Sequence, residues 1–181
     1  MSNFQLVSHM NTAFGNTKGD PKSLSVKKVR KQCLNMVDEL GEVFVALGAD
    51  KALMDAAVAN FKWIANKAGN PVNMDKVRDG ITDMHVFGYG AHHLMGVDAD
   101  ADMRSVITGV MTRFVKNEAD LQATLHKHSL NGITHVRTEG EYPNMIVKSA
   151  SDQPDAPEGK FLKSASYHEE QLYPVEFVFV D

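Results

Sequence analysis

The sequence predicts an all-α protein: a bundle of four to five helices with an appended C-terminal β-hairpin, assembled as an oligomer. Apolar residues recur at three- and four-residue spacing as far as about His128, which is the period of helices that bury one face. After Gly132 the pattern changes to short extended runs separated by turn-forming residues. The apolar stripes and a tail containing Val175-Glu176-Phe177-Val178-Phe179 offer more apolar surface than one copy of a 181-residue chain comfortably hides.

Phe4 to Phe14 reads as a short first helix. From Leu24 to Leu47 the residues Val26, Val29, Cys33, Leu34, Val37, Leu40, Phe44 and Leu47 keep helical spacing between Ser23 and Gly48, a capping residue and a helix stop. Leu53 to Ala68 repeats the pattern through Ala57, Phe61 and Ile64, and Gly69-Asn70-Pro71 ends it. Asn73 can cap a further helix from about Met74 to Met95, closed by Gly96. Asp98, Asp100 and Asp102 place negative charge where a helix dipole is positive, opening a long helix expected from about Met103 to His128.

Asn144-Met145-Ile146-Val147 and Lys160-Phe161-Leu162, on either side of a Pro- and Asp-rich loop from Ser151 to Gly159, read as the hairpin. Val175 to Val180 reads as a further strand or as a tail docked on a partner subunit. The expected organisation is a helical catalytic domain over 1–132, with a hairpin and tail over 133–181 packed on it or on a partner.

A hydrophobic share of 43% and a charged share of 23% place the chain among ordinary globular proteins. Its single cysteine, Cys33, allows no internal disulfide, which makes the cytoplasm the default compartment. No apolar run approaches the roughly 18 residues of a membrane span, so no membrane is expected. A net charge of −4 argues against a nucleic-acid polymer as partner.

The chemistry-bearing residues are carboxylates. Asp38, Glu39 and Glu42 cluster on one helix, and Asp79 with Asp83 stand four apart on another, so each set shares a helix face. If these faces meet, up to five mutually repelling carboxylates need cations between them. Hard oxygen donors, without Cys or paired His, select Mg²⁺ or alternatively Mn²⁺. Mg²⁺ commonly recruits phosphate oxygens, which points to a phosphate-bearing substrate. Arg113, Lys116 and Asn117 are candidates to bind that phosphate, the arginine through paired hydrogen bonds and the lysine as a point charge. Taken alone, each acidic or basic run also fits an ordinary solvated helix face. Lys148, Lys160 and Lys163 on the hairpin could close over a bound nucleotide, but exposed lysines there fit better the usual protection of a strand edge.

Val37-Asp38-Glu39-Leu40-Gly41-Glu42 resembles the ExxE element of the all-α nucleoside triphosphate pyrophosphohydrolases, which include MazG, dCTP pyrophosphatases and phosphoribosyl-ATP pyrophosphohydrolases. Arg78-Asp79-Gly80-Ile81-Thr82-Asp83-Met84-His85-Val86, followed by Gly88, Gly90 and Gly96-Val97-Asp98, resembles their later ExxD element in the phage and bacterial MazG-like branch. One departure stands out: the ExxD glutamate falls on Gly80, and the nearest acid is Asp79. Met10 to Gly15, Thr112 to Glu118, Tyr142-Pro143 and Gly159 to Ser164 are also similar to that branch, so the likeness spans most of the chain.

The resemblance implies an oligomeric bundle in which Glu39, Glu42, Asp79 and Asp83 hold Mg²⁺, with Glu39 or Asp38 activating water. It implies attack on the α-phosphate of a (d)NTP, releasing the monophosphate and pyrophosphate into the nucleotide pool. A phosphoribosyl-ATP pyrophosphohydrolase-like activity and a non-catalytic helical interaction protein are the competing readings.

Other site chemistries are disfavoured. Asp98-Ala99-Asp100-Ala101-Asp102 starts like a calcium loop but has Met103 and Gly109 where that loop needs Gly and Glu. The chain contains no P-loop, HExxH or di-iron Glu-x-x-His motif.

Overall fold

The computed structural model describes residues 1–67, 69–172 and 174–179. Six α-helices are found there: α1 (Asn3–Ala13), α2 (Val26–Ala46), α3 (Lys51–Ala65), α4 (Met74–Met95), α5 (Ala99–Met111) and α6 (Glu118–Ser129). Three short strands follow: β1 (Val136–Glu139), β2 (Ile146–Ser149) and β3 (Phe161–Leu162).

Local chemistry sets the helix ends. Ser2 and Gln5 close a reciprocal capping box on α1. Ser25, Asp50 and Asp98 accept backbone N–H bonds at the starts of α2, α3 and α5. Past α2 the chain reverses through Gly48 at φ 101°, a left-handed conformation that a side chain would resist.

The helix expected from Met103 to His128 is two helices. Thr112 ends α5, Phe114 and Val115 are fully buried, and Asn117 caps α6 by accepting from the Asp120 N–H at 2.9 Å. Between the helices, Val115 and Met145 exchange backbone hydrogen bonds of 2.9 and 3.3 Å, a sheet-like bridge inside the stretch expected to be helical.

The expected hairpin is part of a larger sheet. It has three antiparallel strands in the order β1-β2-β3, with Val136 opposite Ser149, Glu139 opposite Ile146, and Val147 opposite Leu162. Strand β1 is the addition to the expected pair. Described residues 174–179 carry no strand, and Val180, the end of the expected terminal run, lies outside the described residues.

The chain divides into two compact units, Gly19–Ile81 and a discontinuous one formed by Met1–Lys18 with the residues from Thr82 onward. The first unit contains the α2–α3 hairpin, where Gly41 meets Val58 and the Lys62 ammonium bonds both Asp38 oxygens at 2.9 and 2.8 Å.

In the discontinuous unit α1 packs on α5, and the core gathers Val115, Ile133, Val147, Ala156 and Leu162. Phe14, Phe114 and Phe161 form an aromatic trio with ring centroids 4.7 to 5.7 Å apart, in the tilted and edge-on geometries such rings prefer. Residues 164–171 then run along α5 and α6. Ser164 N–H donates to Arg113 O, Ala165 N–H to the Thr124 hydroxyl, and the Ser105 hydroxyl to Gln171 O. Gly109 permits this approach, since a Cβ there would lie 2.9 Å from the Glu170 nitrogen. No helix among the described residues is long and apolar enough to cross a membrane.

Candidate active site

Helix α2 presents Glu39 and Glu42 to solvent. Among the described residues Glu39 has no ion-pair partner. Glu42 borders a cleft of about 380 Å³ between α2 and α3, lined also by Asp38, Lys51, Asp55 and Val58. The Lys51 ammonium is held above its ordinary pKa, chiefly by its hydrogen bond and charge attraction to Asp55, with a lesser pull from Glu42. Asp38 differs from its neighbours, because both its oxygens are taken by Lys62.

On α4, Asp79 and Asp83 are exposed. Asp79 lies 3.4 Å from Lys76, an exposed pair of little energetic weight. Asp83 has no ion-pair partner among the described residues. At about 100° per residue, Asp79 and Asp83 share a face with Val86, Phe87, Gly90 and Leu94. The apolar members of that face are uncovered: Phe87 is 76% and Leu94 87% exposed.

The opposite face of α4, with Met84, Gly88, Tyr89 and His92, meets α5 around a cleft of about 300 Å³. There His92 Nε2 stands 3.8 Å from Asp102, and Asp100 accepts from Asn3 and Tyr89 at 2.7 and 3.1 Å.

The apolar stripe of α2 is similarly bare, with Leu40, Val43 and Phe44 about half exposed and Leu47 75% exposed. Glu39 adjoins Val43 on that surface. Among the described residues no group of three or more His, Cys, Asp and Glu side chains is gathered closely enough to hold a metal ion.

The three phosphate candidates differ in setting. Asn117 uses its side-chain oxygen to cap α6. The Lys116 backbone N–H donates to Asp120 at 3.0 Å, while its exposed ammonium has no ion-pair partner among the described residues. Arg113 is partly buried, with its guanidinium carbon 5.7 Å from the centre of the Tyr167 ring. Sequence spacing gives no sign of Lys62 as the partner of Asp38 or of Tyr167 beside Arg113. The residues concerned are 24 and 54 positions apart, beyond any helical period.

In comparisons with known proteins, no family model matches this chain, and no curated protein or solved structure matches it.

Proposed function

We propose that the chain is a Mg²⁺-dependent nucleoside triphosphate pyrophosphohydrolase that works as a homo-oligomer and converts a (d)NTP to the monophosphate and pyrophosphate. The observation that supports this most is the setting of the carboxylates. Glu39 and Asp83 have no neutralising cation among the described residues, and the stripes beside them, on α2 and α4, are apolar and uncovered. Covering such stripes in an assembly removes water from the carboxylates and raises their mutual repulsion, which favours capture of a hard cation.

The donor chemistry fits Mg²⁺: Glu39, Glu42, Asp79 and Asp83 supply only carboxylate oxygens. When bound, the ion would neutralise phosphate charge and favour ionisation of water. Glu39, the bare carboxylate, would accept the proton of the attacking water. Asp38, tied to Lys62, would hold α2 and α3 in position instead of exchanging protons. Arg113 would offer its guanidinium to a phosphate.

The test is a panel of NTPs and dNTPs, phosphoribosyl-ATP included, with Mg²⁺ or EDTA, scored for pyrophosphate against orthophosphate. Pyrophosphate should appear only with the metal, and Glu42→Gln should lose about a hundredfold or more in turnover while keeping its fold. Orthophosphate as sole inorganic product, or full activity in EDTA, would overturn the reading.

A further inference from the structure

The sheet ends beside two cations that share one aromatic ring. The Ser164 N–H donates to Arg113 O at 3.2 Å, which sets Lys163 next to Arg113. The Tyr167 N–H donates to Ser164 O at 3.3 Å and folds that residue back over both. The Lys163 ammonium stands 4.1 Å, and the Arg113 guanidinium carbon 5.7 Å, from the centre of the Tyr167 ring.

Among the described residues neither cation has a carboxylate within ion-pair distance. Asp120 Oδ2 accepts from the Lys116 N–H and from the Ser166 hydroxyl. Lys127 also turns to a backbone acceptor, Ser164 O at 3.0 Å. Arg113 Nε is buried without any acceptor, the one such side-chain atom among the described residues.

A buried donor without an acceptor is costly, and ring contact does not replace a hydrogen bond. Two cations held against one ring also repel each other. An oxyanion would offset that repulsion, because a guanidinium can bind two of its oxygens while an ammonium serves as a point charge. Two positive centres match an anion with two negative ones.

We propose that Arg113, Lys163 and Tyr167 form a binding site for a condensed phosphate, the pyrophosphate group. Resting on the pyrophosphohydrolase reading, this site takes the β,γ-phosphates of the substrate and then the leaving pyrophosphate. Lys163 thereby joins Arg113 as a binding residue, and Tyr167 is a positioning residue that holds the two cations together.

The experiment is calorimetric titration of the full chain with inorganic pyrophosphate and, separately, orthophosphate, in EDTA so that no turnover intervenes. Pyrophosphate should bind saturably and more tightly than orthophosphate. Lys163→Gln, a change at an exposed position, should weaken it about tenfold, the loss of one charged hydrogen bond. Lys67→Gln is the matched control, since it removes a cation 4.4 Å from the Trp63 ring elsewhere in the chain. It should leave pyrophosphate binding unchanged.

Absent pyrophosphate binding, equal affinity for orthophosphate, or equal effects of the two lysine changes would each overturn the site. Metal-free binding lost in Lys163→Gln, in a protein that hydrolyses no NTP, supports the anion site and sinks the pyrophosphohydrolase reading alone. Hydrolysis whose KM does not move in Lys163→Gln sinks the assignment to substrate phosphates and leaves that reading standing.

Discussion

Glu139, at the end of β1, accepts hydrogen bonds from Lys148 across the sheet and from Arg137 on its own strand. These two bonds, the lysine's first, hold its carboxyl below the ordinary glutamate pKa. A carboxyl depressed in the folded state contributes stability that is present above its unfolded pKa and is lost as pH falls through the folded one. Thermal melts should therefore drop as the buffer is taken into and below the ordinary carboxylate range, and Glu139→Gln should flatten that part of the profile. An identical acid limb in Glu139→Gln would remove the bridge from the pH response. At this scale the sequence is informative about chemistry and silent about partners. Asp38 and Glu39 are consecutive acids on one helix, yet Lys62, contributed by α3, occupies only the first.

Two glycines in helices should respond oppositely to the same change. A methyl at Gly109 would sit 2.9 Å from the Glu170 nitrogen and 3.0 Å from its Cα, backbone that cannot rotate away. Gly109→Ala should push residues 168–171 off α5 at a cost of about 1–3 kcal/mol. That outweighs or cancels the roughly 1 kcal/mol of helix propensity gained. Hydrogen exchange at the His168 amide, which donates to the Thr112 hydroxyl at 3.3 Å, should accelerate. Gly88→Ala on α4 meets open space and should raise stability by up to about 1 kcal/mol. A Gly109→Ala protein with unchanged His168 exchange would mean that the strap does not depend on this contact. Helices α2 to α4 are legible in the sequence through their apolar periods, although the ends of α2 and α3 shift. Ser25 caps α2 in place of the expected Ser23, and α3 opens at Lys51 behind Asp50 and ends at Ala65 instead of running from Leu53 to Ala68. The break between α5 and α6 is legible only as Asn117, whose capping signal competes with an apolar run that continues the helical spacing through Phe114. Strand β1 is hidden because Val136-Arg137-Thr138-Glu139 is short and polar, and its place is fixed by pairing with β2.

For the whole molecule, the described fold keeps its buried apolar residues around Val115 and Val147 while leaving large side chains on α2 and α4 in solvent. Periodicity in a sequence reports that a helix face is meant to be covered and cannot name what covers it. This is why the stripes are legible and their partner is not. The carboxylate pairs are legible for the same local reason, whereas the metal site we propose for them would need a contact between elements that no local spacing encodes. Sedimentation at micromolar concentration should show a homo-oligomer, and Phe87→Glu with Leu94→Glu should dissociate it and abolish pyrophosphate release together. A fully active monomer would refute the assembly.

The aromatic trio also bears on how the chain is made. Phe14 leaves the ribosome early, yet its ring partners Phe114 and Phe161 follow roughly 100 and 147 residues later, as long-range contacts whose closure is slow. The contacts between α2 and α3 can form once Ala65 has emerged. The nascent protein should therefore protect α2 and α3 before α1, which cannot dock until α5 and Phe114 have been synthesised.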